Sequence, residues 1–423
     1  MPERLDSWKA IANYLGRDIR TAVRWEAERG LPVRRVPGTK RSGVFAYREE
    51  LDAWLAAHPT GNGDPPAERT PEPAAIPRRV WIYATTAVAV GIVLAAGFIS
   101  WADDPAVVRL DIRGTELRAL DDESGVLWTH GFDAAVLEPG NGRWTHIGDL
   151  DGVDGNEIVA VVKVGRKPGG EIVDQLLAFS NDGRLEWTRI PDAQLRFGDG
   201  AYGPPWTSED LLAFESDGQP RLAWAIRHYT WWPSMVLVFD AGGAERGRFV
   251  NSGWIRRLAI SQDGSVLFAS GISNAHRATF VARLDAAHVA GSSPEDTDSS
   301  FACLECGADR PLGYVVAPRT DVSEQAIFPP LYAPEIQTFS DGHFQLRVSE
   351  NSDPSPPEMI YEFSAAHAVT RARFSERFWD SHRRLHADGT LQHDERDCPL
   401  RAGLDVREWT PSTGWHILRV PAN

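Results

Sequence analysis

Apolar residues recur with a helical period near the start of the chain. Trp8, Ile11, Ala12 and Leu15 lie at positions i, i+3, i+4 and i+7, a spacing that places all four on one face of an α-helix. Ser7 is a suitable N-cap, because its hydroxyl can accept a hydrogen bond from a backbone N–H of the first turn. The pattern therefore predicts a short amphipathic helix that begins after Ser7.

A second helix is predicted directly after the first. Its apolar face is formed by Ile19, Ala22 and Val23, and Asp18 can cap its N-terminus. Gly30 is expected to end it, since glycine readily adopts the left-handed conformation that closes many helices. Two short helices joined by a tight turn are typical of a helix-turn-helix, in which the second helix enters the major groove of DNA.

Basic side chains cover the other face of this second helix. Arg17, Arg20, Thr21 and Arg24 follow one another at helical spacing. Guanidinium groups on such a face can contact phosphates and base edges. The alternative is a solvated helix face without a partner. We interpret these four residues as DNA contacts.

A basic hairpin is predicted after the second helix. Two β-prone runs, 33–36 and 44–47, flank the turn PGTKRSG. Such a hairpin forms a wing that can contact phosphates or the neighbouring minor groove. The basic residues of this hairpin that we expect to contact DNA are Arg34, Arg35, Lys40 and Arg41. A third helix, predicted from Leu51, Trp54 and Leu55, closes a small core.

The N-terminal sequence resembles the winged helix-turn-helix domains of MerR-like and excisionase-like DNA-binding proteins. The resemblance covers residues 4–57 and rests on SWKAIANYLGRDIRTAVRWE, on GLPVRR and on YREELDAWL. It implies that Arg20, Thr21 and Arg24 face DNA and that Trp25 packs the second helix against the wing. No long dimerisation helix of the MerR type follows, so pairing of subunits is expected to come from elsewhere.

A run of 22 residues without a formal charge, Val80–Trp101, interrupts the polar pattern. A helix of that length covers about 33 Å, which is enough to cross a bilayer. Arg78 and Arg79 precede the run and Asp103 and Asp104 follow it, so the positive-inside rule places the N-terminus in the cytoplasm. A cleavable signal peptide is the alternative, but it would lie at the extreme N-terminus.

Charge divides the chain in the same way. Residues 1–58 carry a net charge of +3, which suits a polyanion such as DNA, whereas the whole chain carries −15. Residues 59–79 are interpreted as a Pro-rich cytoplasmic linker, and residues 102–423 as an extracytoplasmic domain. A stripe of small residues in the apolar run, at four-residue spacing from Ala87, favours a homodimer.

Short β-prone runs separated by Gly/Asp/Asn turns recur in the C-terminal part. Ala119 and Trp128 of one copy recur as Ala178 and Trp187, displaced by 59 residues. Such repeats indicate the blades of a β-propeller, and about five to seven blades fit the length. The repeats resemble those of quinoprotein-type and integrin-type propellers. We interpret the recurring tryptophans as packing between blades, whereas Trp231 falls outside that register and is a better candidate for an exposed recognition surface.

One loop has the residue spacing of a calcium site. Oxygen-bearing side chains recur on a Gly-rich turn, and Ca²⁺ binds about six to eight such oxygens. The candidate ligands are Asp149, Asp151, Asp154 and Glu157. The loop resembles the Asp-rich loops of integrin-like repeats, although Val153 stands where a further oxygen donor is expected. Calcium is the one cofactor that the sequence suggests.

The three cysteines allow at most one internal disulfide. Cys303 and Cys306 can pair with each other, or one of them can pair with Cys398. In an oxidising compartment a stabilising disulfide is the favoured interpretation.

Catalysis has little support in the sequence. The motifs G-x-S-x-G and H-E-x-x-H and a phosphate-binding glycine loop are absent. Three histidines near the C-terminus, His382, His386 and His393, lie close to Asp394 and Asp397 and are interpreted as part of a surface turn. The chain is therefore not expected to be an enzyme.

Together these features predict a multidomain protein with a small α+β winged helix-turn-helix, a single transmembrane helix and an all-β propeller. We expect a transcription regulator of the bacterial inner membrane that binds double-stranded DNA and whose propeller senses an extracytoplasmic ligand, partner or envelope state. This plan resembles membrane-integrated one-component regulators. The alternative is an interaction or adhesion propeller with a cytoplasmic protein-interaction module, and an extracytoplasmic hydrolase or dehydrogenase is least favoured.

Overall fold

A computed structural model of the chain shows two compact units, Met1–Gly97 and Phe98–Asn423. The structure describes residues 4–15, 17, 19–35, 44–57, 106–140, 142–153, 155–165, 172–198, 200–296, 299–325, 334–350 and 355–422.

The N-terminal unit combines a small sheet with three helices. Its elements in chain order are β1 (Arg4–Asp6), α1 (Trp8–Leu15), α2 (Ile19–Arg29), β2 (Arg34–Arg35), β3 (Val44–Tyr47) and α3 (Arg48–Ala57). The antiparallel sheet has the order β1-β3-β2. Ile11, Ala22, Ala46 and Leu51 are fully buried between the sheet and the helices. Apolar burial from α1, α2, β3 and α3 therefore holds this small unit together.

The fold class predicted from the sequence is wrong. The described chain is mostly β-strand, and none of its described helices is long and apolar enough to cross a membrane. The run Val80–Trp101 lies outside the described residues. In the N-terminal unit, Arg4–Asp6 forms a third strand, which the predicted arrangement of three helices and a hairpin did not include. A three-residue strand has too few alternations to be recognised in a sequence.

The C-terminal unit begins with two antiparallel sheets and a ribbon. The first sheet contains β4 (Arg109–Arg113), β5 (Glu116–Leu120) and β6 (Val126–Gly131). The second contains β7 (Val136–Leu137), β8 (Thr145–Gly148), β9 (Glu157–Gly165), β10 (Ile172–Phe179) and β11 (Leu185–Arg189). The ribbon pairs β12 (Leu195–Phe197) with β13 (Gly200–Tyr202).

Three further sheets follow. The third sheet contains β14 (Trp206–Ser216), β15 (Gln219–His228), β16 (Ser234–Phe239) and β17 (Glu245–Asn251). The fourth begins with β18 (Gly253–Ile260), β19 (Val266–Ser273), β20 (Ala278–Asp285) and β21 (Gly313–Val316). The helix α4 (Asp321–Glu324) leads to the fifth sheet, which contains β22 (Glu335–Thr338), β23 (Phe344–Ser349), β24 (Glu358–Phe363) and β25 (Val369–Phe374).

The chain then returns to the fourth sheet. The helix α5 (Glu376–Ala387) and a 3-10 turn (Pro399–Arg401) precede β26 (Leu404–Thr410) and β27 (Gly414–Val420), and β26 pairs with β21. The C-terminal unit therefore contains helices and is not all-β. The helix α5 was missed because the sequence was interpreted as a continuous series of strands and turns.

Successive up-and-down sheets make the C-terminal unit β-propeller-like. Neighbouring sheets bury alternate side chains against one another, as Phe214, Ala225 and Phe249 of the third sheet do against Leu258 and Phe280 of the fourth. The prediction of a propeller in this part of the chain is confirmed as far as a propeller-like fold.

The recurring tryptophans connect one sheet to the next. The indole Nε1 of Trp128 donates to the carbonyl of Asn181 at 3.1 Å, and Nε1 of Trp187 donates to the carbonyl of Ala241 at 2.8 Å. Each acceptor lies in the turn that follows the second-last strand of the next sheet. The repeat therefore encodes packing between sheets. This agrees with the interpretation of the recurring tryptophans from the sequence.

The carboxylate of Asp174 connects β10 to β14. Its Oδ2 accepts a hydrogen bond from the backbone N–H of Ser208 at 2.6 Å, and the residue is 2% exposed. Burial raises the pKa of Asp174 from 3.8 to about 6, against the lowering effect of that hydrogen bond. The folded protein therefore holds this proton more tightly than the unfolded chain does.

Asp174→Asn is expected to change how stability depends on pH. Because the pKa is raised on folding, Asp174 favours the folded state below pH 4, and this contribution is lost as the pH rises to about 6. Asparagine keeps the oxygen that accepts from Ser208, so the variant should gain up to about 3 kcal/mol relative to wild type between pH 4 and pH 7. Urea unfolding at pH 4 and pH 7 measures this difference. If the free energy of unfolding changes equally between the two pH values in both proteins, the prediction is contradicted.

Candidate functional site

Four side chains from distant parts of the C-terminal unit meet at one point. The first, Asp321, is the opening residue of α4. Thr320 caps this helix: its hydroxyl accepts from the N–H of Ser323 at 3.0 Å, and the Ser323 hydroxyl accepts from the N–H of Thr320 at 2.9 Å. This reciprocal capping fixes the backbone at Asp321.

The second side chain, His382, lies on the buried face of α5. This helix begins after Ser375, whose hydroxyl accepts from the N–H of Phe378, and it buries Phe378 and Trp379 in the core around the fifth sheet. The His382 side chain is fully buried, and its ring lies 5.8 Å from the Trp379 ring. His382 is therefore oriented by packing and is not part of a surface turn.

The other two side chains, His393 and Cys398, follow α5. A turn between them is closed by Asp394, whose Oδ1 accepts from the N–H groups of Arg396 at 2.7 Å and Asp397 at 3.2 Å. Cys398 is 3% exposed and directly precedes the 3-10 turn. The turn brings the imidazole and the thiol to the same side of the segment, facing α5.

The four ligating atoms all lie within 4.8 Å of one another. Oδ2 of Asp321 lies 3.2 Å from Nε2 of His382, 3.1 Å from Nε2 of His393 and 3.6 Å from Sγ of Cys398. The two Nε2 atoms are 3.2 Å apart. One carboxylate oxygen is thus shared by three potential donors.

The electrostatics keep two of these groups uncharged. Burial, and to a smaller extent the nearby Asp321 carboxylate, raise the pKa of the Cys398 thiol to about 11. Burial also lowers the pKa of His382, against the raising effect of Asp321. A neutral imidazole keeps a lone pair available, and a thiol can become a ligand when a cation displaces its proton.

Sequence reasoning missed this cluster. Asp321 is 61 residues before His382 and 77 before Cys398, so no local motif contains the set. The sequence signal was limited to His382, His393 and Cys398 within one short segment. His386, on the same helix, lies outside the cluster, and its Nδ1 is 3.2 Å from the carbonyl oxygen of Leu391.

The residues predicted to contact DNA are only partly described. On α2, Arg24 is exposed while Ala22 and Trp25 are buried, and Thr21 is half-buried. Arg17 is exposed beside this helix, with its guanidinium carbon 6.0 Å from the Trp25 ring. The structure therefore places Arg17 and Arg24 on the outside of the unit.

Among the predicted wing residues, Arg34 is the one whose side chain the structure describes. Arg34 forms an ion pair with Glu50 at 2.7 Å and lies over the ring of Tyr47. The remaining predicted contacts lie outside the residues or side chains that the structure describes: Arg20, Arg35, Lys40 and Arg41.

The predicted calcium loop is held by its own backbone. Oδ1 of Asp149 accepts from the N–H of Gly152 at 2.7 Å, and a Glu157 oxygen accepts from the N–H of Leu150 at 2.6 Å. The carboxylates of Asp149, Asp151 and Glu157 lie close together, and Asp154 lies outside the described residues. Backbone N–H groups therefore order these carboxylates, and calcium binding stays a prediction.

The cysteines are divided between two roles. Cys303 and Cys306 form a disulfide, and Cys398 is a buried free thiol. Cys398 therefore remains available to the cluster with Asp321.

No protein-family model matches the sequence, and no curated protein matches it. Solved structures with some similarity include the β-propeller domain of the Trilobed protease from Pyrococcus furiosus, at 11% identity over 52% of this chain and 55% of that one, with a TM-score of 0.27. The Dos1 propeller matches at 9% over 73% and 66%, with a TM-score of 0.32. A Synechocystis apocarotenoid oxygenase mutant matches at 9% over 63% and 57%, with a TM-score of 0.28. The similarity spans only about half to two-thirds of the length of these chains.

Proposed function

We propose that the N-terminal unit binds double-stranded DNA and that the protein regulates transcription, with the propeller-like unit as the part that responds to a ligand or partner. The observation that carries this proposal is the two-sided character of α2. The helix buries Ala22 and Trp25 in the core and turns Arg24 outward. A positively charged face on a rigid helix suits a polyanion.

The charge of the unit supports the same partner. Residues 1–58 carry a net charge of +3 in a chain of net charge −15, so attraction to DNA is concentrated in this unit. Because the unit is small and makes few phosphate contacts, binding by one copy is expected to be weak and sensitive to salt. A second copy held nearby would strengthen it through effective concentration.

Removing two arginines tests the DNA contact. In the full chain, Arg17→Ala/Arg24→Ala is expected to weaken DNA binding and to reduce the slope of log affinity against log salt by about 2, because each phosphate contact contributes about 0.9. Fluorescence anisotropy with labelled duplex DNA over a salt series measures both quantities.

The matched control removes two arginines from the other unit. Arg109→Ala/Arg184→Ala causes the same change in net charge at exposed positions and should leave the slope unchanged. Absence of wild-type binding at low salt would overturn the proposal. An equal loss in both double variants would show that only the overall charge matters.

An interaction surface on the propeller-like unit is the second candidate function. Tyr229 and Trp231 are 58% and 50% exposed, and exposed aromatic side chains are enriched where proteins meet partners. This surface suits the alternative in which the propeller-like unit is the working part. It is also compatible with a sensor, since a sensor needs a surface that meets its signal.

A further inference from the structure

We propose that Asp321, His382, His393 and Cys398 bind one zinc ion, which fastens α5 and the segment after it to the start of α4. This inference goes beyond DNA binding and does not depend on it. It rests on the distances between the four ligating atoms, on their chemistry and on their burial.

Four of the six distances between these atoms fit a tetrahedron around zinc, and the other two are below 4.8 Å. With Zn–N and Zn–O bonds near 2.0 Å and a Zn–S bond near 2.3 Å, tetrahedral ligands are separated by about 3.3 Å for N and N or N and O, and about 3.5 Å for S and O. The observed values are 3.2 Å between the two Nε2 atoms, 3.1 and 3.2 Å from Nε2 to Oδ2, and 3.6 Å from Sγ to Oδ2. Each of these four values agrees with the tetrahedral separation within about 0.2 Å.

The donor set selects zinc over other common cations. Two imidazoles, one thiolate and one carboxylate form a mixed N, S and O set with four members, which is typical of tetrahedral zinc. Calcium and magnesium prefer oxygen ligands alone and more of them. The thiolate and the carboxylate together carry two negative charges, which balance the charge of Zn²⁺.

A metal also resolves a conflict within the cluster. Three potential donors converge on Oδ2 of Asp321, and the two Nε2 atoms face each other at 3.2 Å. Hydrogen bonds alone would need protons on some of these atoms and not on others, in a site where His382 is fully buried. A cation at the centre accepts a lone pair from every ligand, and the Cys398 thiol releases one proton to solvent when it binds.

The site is structural in character. Four protein ligands complete a tetrahedron and leave no position for water or substrate, as in closed zinc sites. Asp321 lies 61 to 77 residues before the other three ligands. Cys398 belongs to the core around the fifth sheet. Val322, which follows Asp321, and Trp379, whose ring lies beside His382, belong to the same core. The metal would therefore stabilise that core.

Metal content of the full chain tests the proposal. Protein purified without a polyhistidine tag and dialysed with zinc should contain one zinc per chain by mass spectrometry, and His393→Ala should reduce this to less than about a tenth. His393 is the most exposed of the four ligands, so this substitution is the least disruptive to folding. The matched control His288→Ala changes an exposed histidine elsewhere and should retain the zinc.

Cobalt titration of the wild-type chain gives a readout that does not depend on variant folding. Tetrahedral Co²⁺ should produce visible d–d absorption and a thiolate-to-cobalt charge-transfer band, and Cys398→Ser should lose the charge-transfer band. A strong chelator should lower the melting temperature of wild type, and zinc, but not magnesium, should restore it. Less than a tenth of an equivalent of zinc, no cobalt spectrum and an unchanged melting temperature would overturn the proposal and leave a hydrogen-bonded cluster only.

Discussion

Asp210→Ala is expected to destabilise the propeller-like unit by about 3–4 kcal/mol. The side chain is fully buried in β14, and Oδ2 accepts from Nη2 of Arg143 at 2.6 Å. Asp210 also accepts from the backbone N–H groups of Arg143 and Leu258, both at 2.9 Å. One carboxylate thus connects a loop of the second sheet, the third sheet and the fourth sheet.

The magnitude follows from what alanine leaves behind. The N–H of Leu258 loses its acceptor in a buried position, which costs about 1–3 kcal/mol. Breaking a fully buried ion pair costs about 3–5 kcal/mol, but the Arg143 side chain is 47% exposed, so water compensates part of its charge. The expected cost of Asp210→Ala therefore lies near the lower end of the range for breaking a buried ion pair.

Urea unfolding followed by tryptophan fluorescence measures this loss. Asp210→Asn keeps one acceptor oxygen and should lose less stability than the alanine variant. Asp111→Ala removes an exposed ion pair with Arg113 and should leave the midpoint close to wild type. Equal midpoints for Asp210→Ala and Asp111→Ala would show that the carboxylate does not hold the sheets together.

Local and repeated signals made part of the fold predictable. The first two helices were predicted because Ile11 and Ala22 follow a helical period that burial in a core requires. The apolar face predicted for the second helix was partly wrong, since Val23 is exposed and Trp25 is buried. The repeat of Ala119 and Trp128 at Ala178 and Trp187 predicted successive sheets, because each pair occupies directly opposed positions in its sheet.

Features that depend on contacts between distant residues could not be predicted. Asp210 belongs to a β-strand in which nothing marks its partners, Arg143 and Leu258, and these are 67 and 48 residues away. The cluster around Asp321 is distributed in the same way, and β1 becomes a strand only by pairing with β3. Three-dimensional proximity, and not local pattern, defines each of these features.

The contact between Trp187 and Gly243 allows the loss of stability on substituting a residue of the sequence repeat to be predicted. A Cβ at Gly243 would lie 2.6 Å from Cδ2 of Trp187, and the glycine has a φ of +75°. In the preceding repeat, a Cβ at Gly183 would lie 2.5 Å from Cγ of Trp128, with a φ of +86°. The turn needs glycine for its backbone conformation and also for the indole ring that packs against it.

Gly243→Ala is therefore expected to cost about 3 kcal/mol. About 1 kcal/mol comes from the left-handed backbone, and the remainder comes from forcing a methyl group into the ring, which is typical of overpacking. Gly114→Ala is the matched control, since its φ is +65° and no atom lies within 4 Å of the added Cβ. It should cost the backbone contribution alone, as measured by urea unfolding.

A double-mutant cycle separates the two contributions. Trp187→Ala alone should cost about 2–4 kcal/mol, because it removes a half-buried ring and the hydrogen bond to Ala241. In that background Gly243→Ala should cost no more than Gly114→Ala, because the clashing ring is gone, so the two losses should fall short of additivity by about 2 kcal/mol. Additive losses would mean that the Trp187 ring does not constrain Gly243. The sequence repeat would then determine the turn but not the packing of one sheet on the next.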